Sequence, residues 1–101
     1  MENVKMFRDQ TVFIDTSPFI YYIEGNPKYR ELLSAFFDDL DNGNFFAFAS
    51  ALALMEVLVI PYKHDRKSTI QLFENLLLNT WNLKTVPVGN DIARLAARMR
   101  A

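Results

Sequence analysis

Two acidic side chains, each beside an apolar run, are the first candidates for chemistry. Asp15 ends the apolar run at residues 12–14 and precedes Ser17 and Pro18, which are typical of the first turn of a helix. This stretch predicts a buried strand that turns directly into a helix, with Asp15 at the joint. Asp15 could simply cap that helix, but Thr16 or Ser17 already offers a cap. Because open α/β sheets bind ligands beyond the carboxyl ends of their strands, we expect Asp15 to belong to a site.

The second candidate, Glu56, is the only charged residue in a predicted helix at residues 51–60, which Ser50 can cap and Pro61 ends. If this carboxylate is buried without a partner, its charged form is strongly disfavoured, and a counter-ion or a retained proton is implied. The alternative is that Glu56 lies on the one solvated stripe of the helix. The helix sequence alone favours neither interpretation.

The remaining elements must place these two acids. Amphipathic spacing predicts helices at residues 29–40 and 69–77 and a last helix that begins at Gly89 or Asn90. Short apolar runs at residues 45–49 and 83–88 predict two further strands. This alternation of strands and helices is typical of a parallel sheet covered on both faces, so the fold class is α/β.

In this topology the two acids converge at one edge of the sheet. Asp15 and Glu56 are far apart in sequence, yet each follows a parallel strand. Two carboxylates that meet at strand ends, without His, Cys or a phosphate-binding loop, suit a hard cation such as Mg²⁺ or Mn²⁺. Such an ion can activate water and neutralise charge on a phosphodiester.

Composition limits the class of protein. The chain of 101 residues makes one domain, and half of its residues are hydrophobic, which is enough to bury a core. It has no cysteine, so disulfides and thiolate metal sites are excluded, and a reducing cytoplasm suits it. The polar start is not a secretory signal, and the longest apolar stretch, residues 45–60, is too short to cross a bilayer. We therefore expect a cytoplasmic protein without a membrane partner.

The charge pattern leaves nucleic-acid binding open. The net charge is −1, whereas a protein that holds nucleic acid purely by neutralising phosphates is usually basic. Any nucleic-acid role must therefore use local lysines and arginines or a bound metal. The most basic segment is residues 61–67, in which Lys63, Arg66 and Lys67 either line a solvated loop or contact phosphates beside the site.

Two motifs resemble those of a known family. The stretch Val-Phe-Ile-Asp-Thr-Ser at residues 12–17, followed by Tyr-Tyr-Ile-Glu-Gly-Asn-Pro-Lys-Tyr, is similar to the opening of PIN-domain proteins, particularly the VapC-type toxins of toxin–antitoxin pairs. The stretch Ala-Ser-Ala-Leu-Ala-Leu-Met-Glu-Val-Leu at residues 49–58 resembles the segment that carries the family's second acid, six residues after a serine. The segment from residue 88 onward also resembles the family's helix after the third strand.

The resemblance implies a metal-dependent endoribonuclease with a three-layer α/β/α fold. Asp15 and Glu56 would be its metal-binding acids, with Mg²⁺ or Mn²⁺ as the cofactor. Thr16, Ser17 and Ser50 would position the ion, its waters or the RNA backbone, and hydrolysis would leave a 5′-phosphate and a 3′-hydroxyl. RNA and a cognate antitoxin protein would be the partners.

The chain also departs from the family pattern. PIN domains continue with another one or two acids and two more strands, which do not follow Ala101 here, so we expect a single PIN-like domain truncated at its C-terminal side. In the family's sheet order, 3-2-1-4-5, the strand at residues 12–14 would then have an open apolar edge. Such an edge favours pairing with another chain, and we expect a homodimer or a strand pair there. The alternative function is an inactive PIN fragment that acts as a binding or oligomerisation module.

Overall fold

The computed structural model describes residues 4–7 and 11–101, and this part of the chain forms one four-stranded sheet with five helices. In chain order the elements are β1 (Val4–Phe7), β2 (Thr11–Ile14), α1 (Thr16–Glu24), α2 (Arg30–Asp41), β3 (Phe46–Ser50), α3 (Ala51–Lys63), α4 (Lys67–Asn79), β4 (Leu83–Val86) and α5 (Asn90–Arg100). The strands follow the order β1-β2-β3-β4, and β2, β3 and β4 run parallel. The predicted α/β fold with a parallel sheet is confirmed.

Strand β1 corrects the prediction of an open edge at β2. It pairs antiparallel with β2, with Val4 opposite Ile14 and Phe7 opposite Thr11. The outer hydrogen-bonding groups of β2 are therefore engaged within the same chain, and a second chain is not required at this edge. The Val-Lys-Met-Phe run of β1 is too short to stand out in sequence, and pairing with a preformed neighbour is what orders it.

The main core lies on one face of the sheet. Alternate residues of the strands, such as Val12 and Ile14 of β2, point to this face, as the two-residue period of a strand requires. Helices α1 to α4 cover it with buried side chains, and among the described residues α5 contributes none to this cluster. The buried members are Val12, Ile14, Phe19, Leu33, Phe37, Leu40, Ala47, Ala49, Val57, Phe73, Leu77 and Leu83.

The opposite face of the sheet carries a smaller cluster, which is formed by aromatic side chains. Phe13 and Phe48 lie on neighbouring strands and their ring centroids are 5.0 Å apart, while Phe13 itself is fully buried. Phe46, two residues before Phe48 and on the same face, remains more than half exposed. The parallel sheet is thus covered more completely on its α1–α4 face.

Helix α3 is longer than predicted. Pro61 was expected to end it, yet the helix runs to Lys63 with Pro61 buried inside its last turns. A proline costs one backbone hydrogen bond wherever it stands in a helix interior, and burial of its ring against the core offsets part of that loss.

No helix in the described ranges has the length and apolar character needed to cross a membrane.

Candidate functional site

Asp15 stands at the junction of β2 and α1 and is the N-cap of that helix. Its backbone is extended, and its Oδ1 atom accepts a hydrogen bond of 2.8 Å from the backbone N–H of Thr16. The expectation that Thr16 or Ser17 fills this role was wrong, because α1 begins at Thr16, two residues earlier than the Ser-Pro pair indicates. Pro18 still fits, since the first turn of a helix has N–H groups without intrahelical acceptors.

Capping explains why the Asp15 carboxylate is ordered, and the same carboxylate can also take part in ligand binding. The side chain is only 5% exposed and lies beyond the carboxyl end of a buried strand. The bonds that Thr16 donates to it reach a single carboxylate oxygen, Oδ1. A carboxylate held in this way is presented in a fixed orientation at the sheet edge where open α/β folds bind ligands.

The Thr16 hydroxyl connects the two candidate acids. Its Oγ1 donates a hydrogen bond of 3.3 Å to Oε1 of Glu56 and lies 3.5 Å from Oδ1 of Asp15. A hydroxyl carries one proton, so it can serve the two acceptors only alternately or by sharing. Two carboxylates separated by 40 and more positions in the chain therefore flank one oxygen atom.

Glu56 is half-buried. It is therefore neither a fully buried carboxylate nor part of a fully solvated stripe, the two alternatives that its sequence position left open. It occupies the second turn of α3, where Ala53 and Val57 point into the core and Met55 is exposed. Its carboxylate thus reaches the Thr16 hydroxyl from the boundary of the buried face.

Ser50 lies at the carboxyl end of β3 and caps α3, as predicted. Its Oγ accepts a hydrogen bond of 3.1 Å from the backbone N–H of Ala53, and the residue is 4% exposed. Ser17 follows Thr16 in the first turn of α1 and is half-buried. The polar residues Thr16, Ser17 and Ser50 therefore stand at the ends of two adjacent parallel strands, around the acid pair.

The donor set fits a hard divalent cation with an incomplete protein shell. Carboxylate and hydroxyl oxygens are its only donors, and Mg²⁺ is typically held by one or two carboxylates with water and substrate phosphates completing the octahedron. Within residues 4–7 and 11–101, no three Asp, Glu, His or Cys side chains converge as a metal-binding group. The described residues thus offer Asp15 and Glu56 as the two protein ligands.

The basic residues lie away from the acid pair. Lys63 is the last residue of α3, Arg66 precedes α4 and Lys67 begins it, and all three side chains are exposed. Along α3, the seven residues from Glu56 to Lys63 correspond to about 10 Å. Arg66 lines a groove of about 410 Å³ together with Ile23 and Glu24, at the C-terminal end of α1. Lys63 is therefore about two helical turns from Glu56, and a phosphate-binding role for the segment stays a prediction.

A cluster that the sequence did not single out as functional lies at the same end of α1. The rings of Tyr21 and Tyr29 are stacked, with centroids 5.1 Å apart and an angle of 20° between their planes. The ammonium group of Lys28 lies 5.3 Å from the centroid of the Tyr29 ring. The Tyr-Tyr and Pro-Lys-Tyr-Arg stretches are visible in the sequence, but only the turn at Gly25 brings them together.

The structure is a mixed α/β fold in which two carboxylates flank one hydroxyl beyond the ends of parallel strands. Comparison with protein families identifies the particular family: the PIN domain matches residues 12–101, and the chain belongs to the PIN domain family. Proteins of this family are commonly nucleases and generally use divalent metal ions. No curated protein and no solved structure matches the chain significantly.

Proposed function

We propose that this chain is a metal-dependent endoribonuclease of the PIN-domain toxin type, which hydrolyses phosphodiester bonds in RNA. The observation that carries the proposal is the placement of Asp15 and Glu56 on either side of the Thr16 hydroxyl, in a chain of a family whose members are commonly nucleases. Two carboxylates at one sheet edge are the oxygen ligands that Mg²⁺ prefers, so Asp15 and Glu56 would hold such an ion.

Each residue around the acid pair has a proposed role. Asp15 and Glu56 hold Mg²⁺ or Mn²⁺ and are the catalytic acids of the site. When bound, such an ion lowers the pKa of an attacking water and neutralises the negative charge that builds on the phosphodiester. Thr16 fixes the orientation of both carboxylates, which a flexible pair could not maintain. Ser17, which is half-buried, provides a hydroxyl for the RNA backbone or for water, and the buried Ser50 positions the start of α3, which carries Glu56.

The proposed partners follow from the same assignment. A toxin of this type binds RNA as its substrate and an antitoxin protein as its inhibitor, and it acts in the cytoplasm. A homodimer, or strand pairing with another chain, is also proposed. Since β1 occupies the flank of β2, pairing would have to use the outer sides of β1 or β4, the two strands at the ends of the described sheet.

A second candidate function is a binding or oligomerisation module without catalysis. The observation in its favour is that the described residues bring together two carboxylates rather than three or more. Two protein ligands are enough to hold Mg²⁺ only weakly, with water and substrate phosphate supplying the other positions. Cleavage rather than binding alone therefore separates the two functions.

The test is cleavage of a labelled single-stranded RNA by the 101-residue chain with Mn²⁺ or Mg²⁺. We expect cleavage that is lost with EDTA, lost in Asp15→Asn, and reduced about 10–100-fold in Thr16→Val, which keeps the shape of the side chain but removes its hydroxyl. Thr16→Ser, which restores the hydroxyl, is the matched control. A folded protein that cleaves nothing with either metal would favour the binding module, and cleavage that persists in Asp15→Asn would refute the assigned site.

A further inference from the structure

The C-terminal end of α1 carries an aromatic surface that the acid pair does not use. Tyr21 belongs to the last turns of α1, and Tyr29 immediately precedes α2. Both are half-buried and pack their inner edges against the core, so their rings are held in place rather than free to rotate into solvent. Their near-parallel stack forms a rigid, flat surface at this corner of the molecule.

The outer face of Tyr29 is covered by a displaceable side chain. Tyr21 stacks on one face of the Tyr29 ring, and the Lys28 ammonium lies 5.3 Å from the centroid of that ring. Lys28 is exposed, and a cation–π contact at an exposed position contributes only about 0.5–1 kcal/mol. A flat aromatic ligand can therefore replace Lys28 on the ring at little cost, and the released ammonium remains close enough to pair with a phosphate.

Further cations surround the same end of α1. Arg30 donates a hydrogen bond of 3.3 Å to the carbonyl of Gly25, and Arg66 lies across the groove beside Glu24. With Lys28, Lys63 and Lys67, they make five of the chain's eleven lysines and arginines in two short segments, residues 28–30 and 63–67. Aromatic faces beside such a concentration of cations are typical of single-stranded nucleic-acid sites.

The aromatic surface and the acid pair can lie under one strand of RNA. Tyr21 is five residues after Thr16 on α1, which corresponds to about 7.5 Å along the helix axis. Single-stranded sites without sequence preference extend over about 4–16 nucleotides, which is longer than this separation requires. Ser17, which is half-buried and follows Thr16, lies four residues before Tyr21 and therefore on the same side of α1 as the tyrosine.

We infer that the stacked Tyr21–Tyr29 pair is a subsite that holds an unpaired RNA base, with Lys28, Arg30 and Arg66 on the neighbouring phosphates. The inference takes its substrate class from the proposed function. Stacking on the outer face of Tyr29 tolerates any base, because every base has a π-face, so the subsite contributes affinity and positioning rather than sequence choice. RNA is favoured over a protein partner because the surface combines flat rings with several separate cations instead of an apolar groove.

The test measures RNA binding apart from cleavage. A fluorescein-labelled 12-nucleotide single-stranded RNA is titrated with protein that carries Asp15→Asn, in EDTA, and binding is followed by anisotropy. We expect Tyr29→Leu to weaken binding roughly 5- to 100-fold, the range that corresponds to one stacked base. Tyr29→Phe, which keeps the ring, should bind within about two-fold of the parent. Phe46→Leu, a change at an exposed aromatic residue on β3, is the matched control and should have no effect.

Two further variants keep the inference testable if Tyr29→Leu loses its fold. In a Trp81→Phe background, Tyr29→Trp places the only indole at the subsite, and a stacked base should quench its fluorescence. Lys28→Ala should reduce the slope of log affinity against log salt by about 0.7, the value for one phosphate contact on a single strand.

The outcomes separate this inference from the proposed function. Loss of binding in Tyr29→Leu with indole quenching supports the subsite even if the chain cleaves nothing. RNA binding that is equal in Tyr29→Leu and Tyr29→Phe, with no quenching of the indole, overturns the subsite even if metal-dependent cleavage is observed. The tyrosine pair would then be a structural or protein-facing stack.

Discussion

Helix capping and metal binding by Asp15 depend on different properties of its side chain, so substitution can separate them. A cap needs an oxygen that accepts the Thr16 N–H, and Asn supplies one as well as Asp does. Asp15→Asn should therefore leave the free energy of unfolding within about 0.5 kcal/mol of the parent. Asp15→Ala removes the cap in a buried position and should cost about 1–3 kcal/mol, because the Thr16 N–H is then left without its acceptor.

Metal binding adds a second contribution to the free energy of unfolding, and this contribution requires the charged side chain of Asp15. A cation that binds the folded state at ten times its dissociation constant raises the free energy of unfolding by about 1.4 kcal/mol. In a domain of this length, 1 kcal/mol corresponds to a Tm change of about 4–8 °C, so the expected increase is roughly 6–11 °C. Asp15→Asn replaces one of two carboxylates by a neutral amide and should lose most of this increase.

The assay is thermal unfolding followed by circular dichroism, with Mn²⁺ and with EDTA. The parent should be stabilised by Mn²⁺, Asp15→Asn should be as stable as the parent in EDTA but not respond to the metal, and Asp15→Ala should be destabilised in both. Asp38→Asn, at an exposed acid of α2, is the matched control for loss of one negative charge. An equal Mn²⁺ response in Asp15→Asn would refute the metal assignment and leave Asp15 as a helix cap alone.

Two predictions concern stability rather than catalysis. Asp65 has a φ of 51° in the turn between α3 and α4, a left-handed conformation that disfavours L-residues by about 1–2 kcal/mol. Because glycine loses more chain entropy on folding, Asp65→Gly should raise the free energy of unfolding in urea by a net of about 0.5–1 kcal/mol. Burial raises the pKa of Tyr22, and the charges of Asp38 and Asp41 raise it further. A raised phenol pKa means that folding disfavours the phenolate, so stability should fall as pH rises above about 10, and Tyr22→Phe should flatten that fall.

Each of these stability predictions has its own control. Asp65→Ala keeps the Cβ that makes the left-handed conformation unfavourable, and a gain in Asp65→Ala equal to that in Asp65→Gly would contradict the backbone argument. Tyr62 is exposed and serves as the comparison for Tyr22. If Tyr62→Phe changed the alkaline stability as much as Tyr22→Phe does, burial of Tyr22 would not be the cause.

The elements that carry strong local patterns could be predicted from the sequence. Strands β2, β3 and β4 are apolar runs bounded by turn residues or caps, and the spacing in α4 repeats along several turns. Their parallel arrangement follows from the strong preference for right-handed crossover connections. Two helices connect each strand to the next, and few sheet topologies satisfy that preference. The convergence of Asp15 and Glu56 then follows from topology as well, although only the structure shows that Thr16 lies between them.

The features that were missed depend on tertiary contact. Strand β1 has four residues and is defined by its neighbour, β2, rather than by its own pattern. Helix α1 begins at Thr16 because Asp15 has an extended backbone and its side chain accepts the first N–H of the helix. Asp15, Thr16 and Ser17 can each cap a helix, so the sequence alone does not determine which of them is the N-cap. The Tyr21–Tyr29 stack needs the reversal at Gly25, whose φ of 68° turns the chain between the two helices.

The antiparallel direction of β1 determines where anything attached ahead of it begins. Val4 pairs with Ile14, which directly precedes Asp15, so the strand starts at the end of the sheet that holds the acid pair. A tag, label or fusion partner attached close to the start of β1 would therefore lie beside the candidate metal site and could obstruct it. Labels for the experiments above should be placed away from this edge of the sheet.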